Sequence, residues 1–285
     1  MKNNPFPKTL SLAILAALMT AACTGGKGNQ QTTSPNILIV FADDMGYGDV
    51  SCLNPASGIF TASIDALANQ GIIFTEAHAS ASVCTPSRYG LLTGRYAFRS
   101  PKGSRVVYGF NGPVIEKDRE TIASMLKKAG YSTACVGKWH LGLTWQAKDK
   151  SEKLSYDRQT GISNVDYASG VLKGPNDFGF DYSFILPASL DMPPYLFLKN
   201  HKVTDPQMSL TSDRYPLKLD TTVYAWDRKH TREQDIYWGK GVWWRQGEIS
   251  QSFDVENCLR EIFNEGISYI GKHAQENPEK PFFLY

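Results

Sequence analysis

Apolar residues along this chain fall into short unbroken runs separated by stretches of helical spacing. The first run, Asn36–Ala42, is rich in β-branched and other apolar residues, which is typical of a strand buried on both faces in a parallel sheet. Shorter apolar runs at Ile72–Phe74, Tyr131–Val136 and Pro281–Tyr285 predict further strands. Strands that are buried on both faces need helices to cover them.

Helical spacing does recur between these runs. Ser63–Asn69 and Thr121–Ala129 each begin with a capping hydroxyl and end near a glycine, Gly71 or Gly130. A longer amphipathic pattern predicts one helix over Ser252–His273. This alternation of strands and helices predicts an α/β fold with a mainly parallel sheet flanked by helices.

Composition narrows the class of protein. The chain has 285 residues, a formal net charge of +2 and 42% hydrophobic residues, which is typical of a globular protein with a sizeable core. It contains no run of basic residues, so charge balance and patterning both argue against a nucleic-acid-binding protein.

Candidate chemistry is densest in the string Cys84–Arg95. Pro86 suits the first turn of a helix and Gly94 suits its C-terminal end, so Cys84 is expected at or just before the helix N-terminus. Free backbone N–H groups and the positive end of the helix dipole favour an anion there, and Arg88 follows one turn later. The alternative interpretation is a small buried cysteine at an ordinary helix start.

Polar residues follow two of the predicted strands. Asp43 and Asp44 come directly after the first strand, and Lys138 and His140 come after Tyr131–Val136. Because ligands of open α/β sheets bind outside the carboxyl ends of the strands, these side chains are expected to share one edge of the sheet. Two adjacent carboxylates suit a hard divalent cation such as calcium or magnesium, although such a pair also begins ordinary turns. The lysine and histidine likewise have a plain alternative as part of a solvated loop.

Together these residues resemble the type I sulfatases. The string Cys84–Gly94 resembles that family's activation motif, Phe41–Asp49 resembles its opening segment, and Gly130–Gly142 resembles its second motif. The resemblance implies an alkaline phosphatase-like fold in which the motif cysteine is oxidised after translation to formylglycine. The hydrated aldehyde of that residue is the family's nucleophile, so a formylglycine-generating maturase is an expected partner.

The resemblance also implies a role for each candidate site residue. Calcium, with magnesium as the alternative, would be held by oxygen ligands and the modified cysteine: Asp43, Asp44 and Cys84. Arg88 and the cation would lower the pKa of the attacking hydroxyl, and Lys138 would stabilise charge on the sulfate oxygens. His140 would act as a base or as the hydrogen-bonding partner of the second hydroxyl.

Some features of the family do not occur in this sequence. Family members carry an Asp-Asn pair as further metal ligands, and additional sulfate-binding His and Lys residues, beyond the strand that corresponds to Pro281–Tyr285. We therefore interpret residues 35–285 as the N-terminal part of a sulfatase catalytic domain and expect a fold that is incomplete at its C-terminus.

The region around Leu190 bears on the substrate. Some arylsulfatases carry a substrate-side histidine near this position, whereas the nearest histidine here is His201. The local pattern resembles bacterial carbohydrate sulfatases instead. The expected substrate is a sulfated carbohydrate, such as a galactose or N-acetylgalactosamine sulfate.

The N-terminus is expected to direct export. Residues 1–22 combine a lysine-containing start with a mostly apolar stretch, Leu10–Ala22, that is too short to span a bilayer and is typical of a signal peptide. The end of this stretch and Cys23 resemble a bacterial lipobox, which predicts a lipid anchor, with ordinary cleavage as the alternative. Residues 23–34 suit a flexible tether, so the predicted location is the bacterial periplasm or cell envelope.

The remaining cysteines, Cys52, Cys135 and Cys258, show no spacing typical of a metal site or disulfide framework. Cys135 lies within a predicted strand and is expected in the core, and no important disulfide is predicted.

The region of residues 145–250 predicts an elaborated insert over the active-site face, because turns, prolines and aromatic residues are frequent there. Its cluster Trp226–Trp244 would either stack on sugar rings or pack the insert.

Two other functions stay open from sequence alone. One is a phosphonate or phosphate monoester hydrolase of the same superfamily, and the other is a non-catalytic, lipid-anchored glycan-binding protein.

Overall fold

The computed structural model describes residues 34–102, 105–215 and 245–285, and a six-stranded sheet lies at its centre. In spatial order its strands are β1 (Ile37–Leu38), β10 (Phe282–Leu284), β2 (Ser132–Lys138), β5 (Tyr182–Leu186), β6 (Leu198–Lys199) and β7 (Lys202–Val203). The first four pair in parallel and the last two join antiparallel. The predicted α/β class with a mainly parallel sheet is therefore confirmed.

Two small antiparallel ladders and several helices complete the described structure. The ladders pair β3 (Thr144–Trp145) with β4 (Val171–Lys173), and β8 (Met208–Leu210) with β9 (Glu248–Ser250). The α-helices are α1 (Ala62–Gln70), α2 (Cys84–Thr93), α3 (Ile122–Lys128), α4 (Thr211–Arg214) and α5 (Cys258–Glu276). Short 3-10 turns span Tyr47–Asp49, Ala97–Arg99 and Pro175–Phe178.

Side chains of the central strands alternate between two apolar layers, because successive residues of a strand point to opposite faces. Cys135, Ile185 and Phe283 are buried in one cluster together with residues of α2 and α3. Their strand neighbours, such as Ala134 and Phe184, are buried in clusters that include residues of α5. Cys135 is thus a core residue, as predicted.

The first strand differs from its prediction. The apolar run Asn36–Ala42 was expected to be buried on both faces, but the ladder covers only Ile37–Leu38 and lies at the edge of the sheet. Leu38 and Val40 are 53% and 71% exposed. Ile72–Phe74 is not a strand, and all three side chains are exposed. Both predictions were wrong because an apolar run does not distinguish a central strand from an edge strand or an apolar loop.

The helices predicted over Ser63–Asn69 and Thr121–Ala129 lie close to their predicted bounds, whereas the helix predicted over Ser252–His273 spans Cys258–Glu276. Thr121 caps α3 as predicted, since its hydroxyl accepts a hydrogen bond from the backbone N–H of Ser124 at 3.0 Å. Helix α1 begins after Thr61 rather than at Ser63. The hydroxyl of Thr61 instead donates to the Asp65 carboxylate at 2.8 Å.

Several predictions fall on residues outside the described ranges: the signal peptide over residues 1–22, the Cys23 anchor, almost all of the tether over 23–34, and Trp226–Trp244. Cys52, Cys84, Cys135 and Cys258 are free thiols. Of the helices in the part of the chain that is described, none has the length and apolar character to cross a membrane.

Candidate active site

Helix α2 begins at Cys84, and local contacts fix this start. Val83, the residue before it, is extended (φ −137°, ψ 157°), and Ser87 Oγ donates to the Ala81 carbonyl at 2.5 Å. Gly94 ends the helix in a left-handed conformation (φ 63°) that favours glycine, and its N–H bonds to the Gly90 carbonyl at 2.9 Å. The sequence prediction for this helix is confirmed. Cys84 therefore lies where the helix dipole favours negative charge.

Two residues from separate strand ends contact the Cys84 thiol. Lys138, the last residue of β2, places Nζ 3.1 Å from Cys84 Sγ. Asp43, in the loop after β1, places Oδ1 3.9 Å from the same sulfur and Oδ2 2.5 Å from Lys138 Nζ. The carboxyl ends of these strands thus converge on the cysteine, as the sheet topology leads one to expect.

Arg88 lies beneath this group and is 4% exposed. Its Nη1 donates to the Lys138 carbonyl at 2.7 Å and to the Tyr285 hydroxyl at 3.1 Å, while Nη2 lies 3.8 Å from Asp43 Oδ1. The guanidinium also lies over the Phe41 ring, 5.4 Å from its centroid. Its position is therefore fixed by four groups.

The charges around Asp43 act on its ionisation. Burial alone would raise the pKa of Asp43, but the hydrogen bond from Lys138 and the positive charges of Lys138 and Arg88 outweigh burial and lower it. The Asp43 carboxylate is therefore ionised at neutral pH and stays paired with the positive charges of Lys138 and Arg88.

His140 is almost fully buried, 1% exposed, and its ring is held by a backbone carbonyl. Nε2 lies 2.7 Å from the Val107 carbonyl oxygen. Since a carbonyl only accepts, Nε2 carries the ring proton and Nδ1 is left with a bare lone pair. Among the described residues Nδ1 has no hydrogen-bond partner. Burial, reinforced by the charge of Lys138, lowers the pKa of His140 to about 4, so the ring is neutral at pH 7.

Comparison with known proteins places this arrangement in a family. The sulfatase family model matches residues 35–285. The chain belongs to the sulfatase family. It is 33% identical over 267 residues to the N-acetylgalactosamine-6-O-sulfatase of Bacteroides thetaiotaomicron, a match that covers 90% of this chain and 48% of that protein. It is 37% identical over 170 residues to human arylsulfatase G, covering 60% of this chain and 27% of the relative.

A solved structure supports the same assignment. A protein described in work on glycosaminoglycan metabolism by Bacteroides thetaiotaomicron superposes with a TM-score of 0.65 at 33% identity. The match covers 89% of this chain and 50% of that one. Both matches cover most of this chain. The chain nevertheless spans only about half the length of the N-acetylgalactosamine-6-O-sulfatase and of the solved structure.

The predicted calcium ligands of this sulfatase are only partly assembled. Asp43 contacts Lys138, and Asp44 follows it in a left-handed conformation (φ 56°) with an exposed side chain. Within the described ranges, no three His, Cys, Asp or Glu side chains form a group that could hold a metal ion. Calcium takes about six to eight oxygen ligands. The carboxylates have the right chemistry, but they do not make a complete site, so further ligands are required.

The structure therefore brings together four of the predicted site residues: Asp43, Cys84, Arg88 and Lys138. In the described part of this sulfatase no hydrogen bond joins His140 or Asp44 to Cys84. His201, noted as the histidine nearest Leu190, instead binds Asp177 at 2.8 Å. The catalytic and metal-binding roles stay predictions.

Sequence reasoning missed the residues that position this set. Tyr285 binds Arg88, Val107 holds the ring of His140, and Thr85 contacts both Val107 and His140. Tyr285 ends a predicted strand, and the site lies at the carboxyl ends of the strands, so the sequence did indicate that Tyr285 is near the site. Nothing local marked Thr85 or Val107, because their contacts join segments that are distant in sequence.

Proposed function

We propose that this sulfatase hydrolyses sulfate esters of carbohydrates, with Cys84 converted to formylglycine and a calcium ion bound beside it. The observation that carries the proposal is the 3.1 Å contact between Lys138 Nζ and Cys84 Sγ at the start of α2. Two cations and a helix N-terminus surround the residue that the family modifies, and such surroundings attract an anionic sulfate group.

The overall reaction adds water across the ester. The S–O bond to the sugar breaks, and the products are the free sugar hydroxyl and hydrogen sulfate. Formylglycine at position 84 would supply a hydroxyl of its hydrated aldehyde as the nucleophile. A calcium ion held by Asp43, Asp44, residue 84 and further oxygen ligands would supply Lewis-acid stabilisation.

Lys138 and Arg88 have different tasks in this proposal. Lys138, which contacts both Cys84 and Asp43, donates hydrogen bonds to the sulfuryl oxygens, where negative charge develops. Arg88 is too deeply bound to reach far into the site. Its charge adds to the larger effect of Lys138 in keeping Asp43 ionised, and its contacts hold the cluster in place.

His140 acts as an acceptor. Its Nδ1 lone pair accepts a hydrogen bond from a hydroxyl of the site and orients it. A base that holds the proton through the reaction works best with a pKa near the operating pH. The pKa of about 4 therefore favours the hydrogen-bonding role that the sequence left open over the role of a base.

The substrate class follows from the relatives. The relative matched over 90% of this chain is named an N-acetylgalactosamine-6-O-sulfatase, and the human relative is named an arylsulfatase. We propose a sulfated carbohydrate, and N-acetylgalactosamine 6-sulfate is the first compound to test. The matched names do not favour a phosphate or phosphonate ester.

The test uses the protein expressed at its full natural length together with a formylglycine-generating maturase. Mass spectrometry of the peptide that contains residue 84 is expected to show the aldehyde, and ion chromatography is expected to show sulfate release. Cys84→Ala is expected to abolish release, whereas Cys52→Ala removes another free thiol and is expected to retain it. An active enzyme with an unmodified thiol, or faster turnover of aryl phosphate than of aryl sulfate, would contradict the proposal.

We also propose that Cys23 carries a lipid that anchors the protein in the cell envelope, which rests on the sequence pattern around it. Cell fractionation tests this. The wild-type protein is expected in the membrane fraction, and Cys23→Ala is expected in the soluble fraction. Equal distribution of the two proteins would contradict it.

A further inference from the structure

The hydroxyl of Thr85 bridges two segments that are far apart in sequence. Thr85 follows Cys84 in the first turn of α2 and is 2% exposed. Its Oγ1 donates to the His140 carbonyl at 2.9 Å and accepts from the Val107 N–H at 3.3 Å. A hydroxyl has one donor and two acceptor sites, so both bonds can form at once.

These bonds close a ring of three residues. The Val107 carbonyl accepts from the Nε2–H of His140, and the Val107 N–H donates to the Thr85 hydroxyl. The Thr85 hydroxyl in turn donates to the His140 carbonyl. The backbone N–H of His140 adds a bond to the Pro187 carbonyl at 3.1 Å. Thr85 is thus the side chain through which α2 fixes the distance between Val107 and His140.

This ring of hydrogen bonds determines which nitrogen of the His140 imidazole carries the proton. If Val107 moved away, Nε2 would lose its only described acceptor and the preference for a proton on that atom would weaken. His140 also has a left-handed backbone (φ 51°), a conformation that is uncommon for residues other than glycine and that its neighbours must maintain. A displacement of about 1 Å in a positioned group can cost roughly a hundredfold in rate.

We propose that Thr85 is a positioning residue, whose hydroxyl holds Val107 and His140 so that His140 Nδ1 is presented as a hydrogen-bond acceptor. This deepens the function proposed above and rests on it where turnover is concerned. The state of the imidazole is a property of the protein itself and can be measured without turnover.

The first experiment compares Thr85→Val, which keeps the shape and removes the hydroxyl, with Thr85→Ser, which keeps the hydroxyl. Both are made in the full natural-length enzyme, and rates are expressed per molecule that carries formylglycine, as counted by mass spectrometry. We expect Thr85→Val to lower kcat roughly 10- to 100-fold with KM changed less than about threefold, and Thr85→Ser to stay within about threefold of wild type.

Thr211→Val is the matched control. Thr211, in α4, is also buried, and its hydroxyl accepts from the Gly247 N–H at 3.1 Å and donates to Gln246 Oε1 at 3.4 Å, without any hydrogen bond to His140. Its loss is expected to leave kcat unchanged. A Thr85→Val enzyme with wild-type kcat, or a Thr85→Ser enzyme as impaired as Thr85→Val, would overturn the proposal.

The second experiment tests the positioning role of Thr85 independently of the proposed sulfatase activity. The ring nitrogens of His140 are observed by 15N NMR in a Cys84→Ala background, which needs neither maturation nor substrate, and are assigned by their loss in a His140→Gln variant. The Nε2–H tautomer is expected when residue 85 is threonine or serine, and a mixture of tautomers is expected in the Thr85→Val variant. An unchanged tautomer in Thr85→Val overturns the positioning role even if the enzyme is active.

A substitute variant covers the case in which Thr85→Val does not fold. Thr85→Cys, whose thiol is a weaker hydrogen-bonding group, is then expected to give an intermediate tautomer mixture. The pure Nε2–H tautomer in that variant would overturn the proposal.

Discussion

Arg88 and Tyr285 are 197 residues apart in the chain, yet Nη1 of the arginine donates a 3.1 Å hydrogen bond to the hydroxyl of the tyrosine. Both side chains are buried, and the same nitrogen also binds the Lys138 carbonyl. Strand β10, which Tyr285 follows, lies between β1 and β2 in the sheet. A residue beyond its end therefore fixes the guanidinium that stands beside Asp43.

Tyr285→Phe is expected to destabilise the protein. The change removes one acceptor and leaves part of a buried charged donor without a partner, which costs about 1–3 kcal/mol. Urea unfolding measures this loss. Tyr269→Phe is the control, because among the described residues the Tyr269 ring stacks on Tyr182 and its hydroxyl makes no hydrogen bond. Equal urea midpoints for Tyr285→Phe and wild type would show that the hydroxyl does not hold Arg88.

Lys138→Ala is expected to lower kcat/KM for a sulfate ester by about two to three orders of magnitude, because it removes the donor aimed at the reacting group. Lys138→Arg keeps the charge with a different shape and should lose less. Lys128→Ala, an exposed lysine paired with Glu120, is the control and should behave like wild type. Rates are compared per formylglycine-bearing molecule. A loss of less than about threefold in Lys138→Ala would remove Lys138 from the proposed mechanism.

Much of this site could be predicted from sequence because its signals are local. Pro86 and Gly94 bound a helix, and the strand ends deliver Asp43 and Lys138 to one edge. The contacts of Thr85 and Tyr285 could not be predicted, since they depend on which segments the fold brings together.

The burial of apolar residues was the least predictable feature of the fold. The amphipathic pattern over Ser252–His273 predicted a helix, and α5 forms there, but its residues Leu259, Phe263 and Ile267 are exposed. Ile262 and Ile270 pack against the core clusters instead. Periodicity shows that a helix has apolar residues, but it does not show which neighbours cover them.

Calcium is expected to raise the melting temperature of the full natural-length protein. A ligand at about 100 times its Kd that binds only the folded state stabilises it by about 2.7 kcal/mol. Chelation should reverse the shift. Asp43→Asn and Asp44→Asn should each reduce it, whereas Asp149→Asn, which changes an exposed aspartate bound to Ser151, should retain it. Identical melting curves with calcium and with chelator would contradict a calcium site.

His140 is expected to make stability depend on pH in the acidic range. The folded-state pKa is lowered from 6.5 to about 4, so the unfolded chain binds the proton more tightly. Stability is therefore lost as the pH falls from about 6.5 to about 4, by on the order of 3 kcal/mol, and does not fall further below that range on account of this residue. Urea unfolding at a series of pH values measures the slope.

His140→Gln isolates this contribution, because the glutamine amide can still donate to the Val107 carbonyl but cannot titrate. The variant should lose less stability than wild type between pH 7 and pH 4. His78→Gln removes an exposed imidazole and is expected to change the free energy of unfolding by less than about 0.5 kcal/mol at neutral pH. If wild type and His140→Gln show the same slope, the ring of His140 is not buried in its neutral form, and the acceptor role assigned to Nδ1 loses its physical basis.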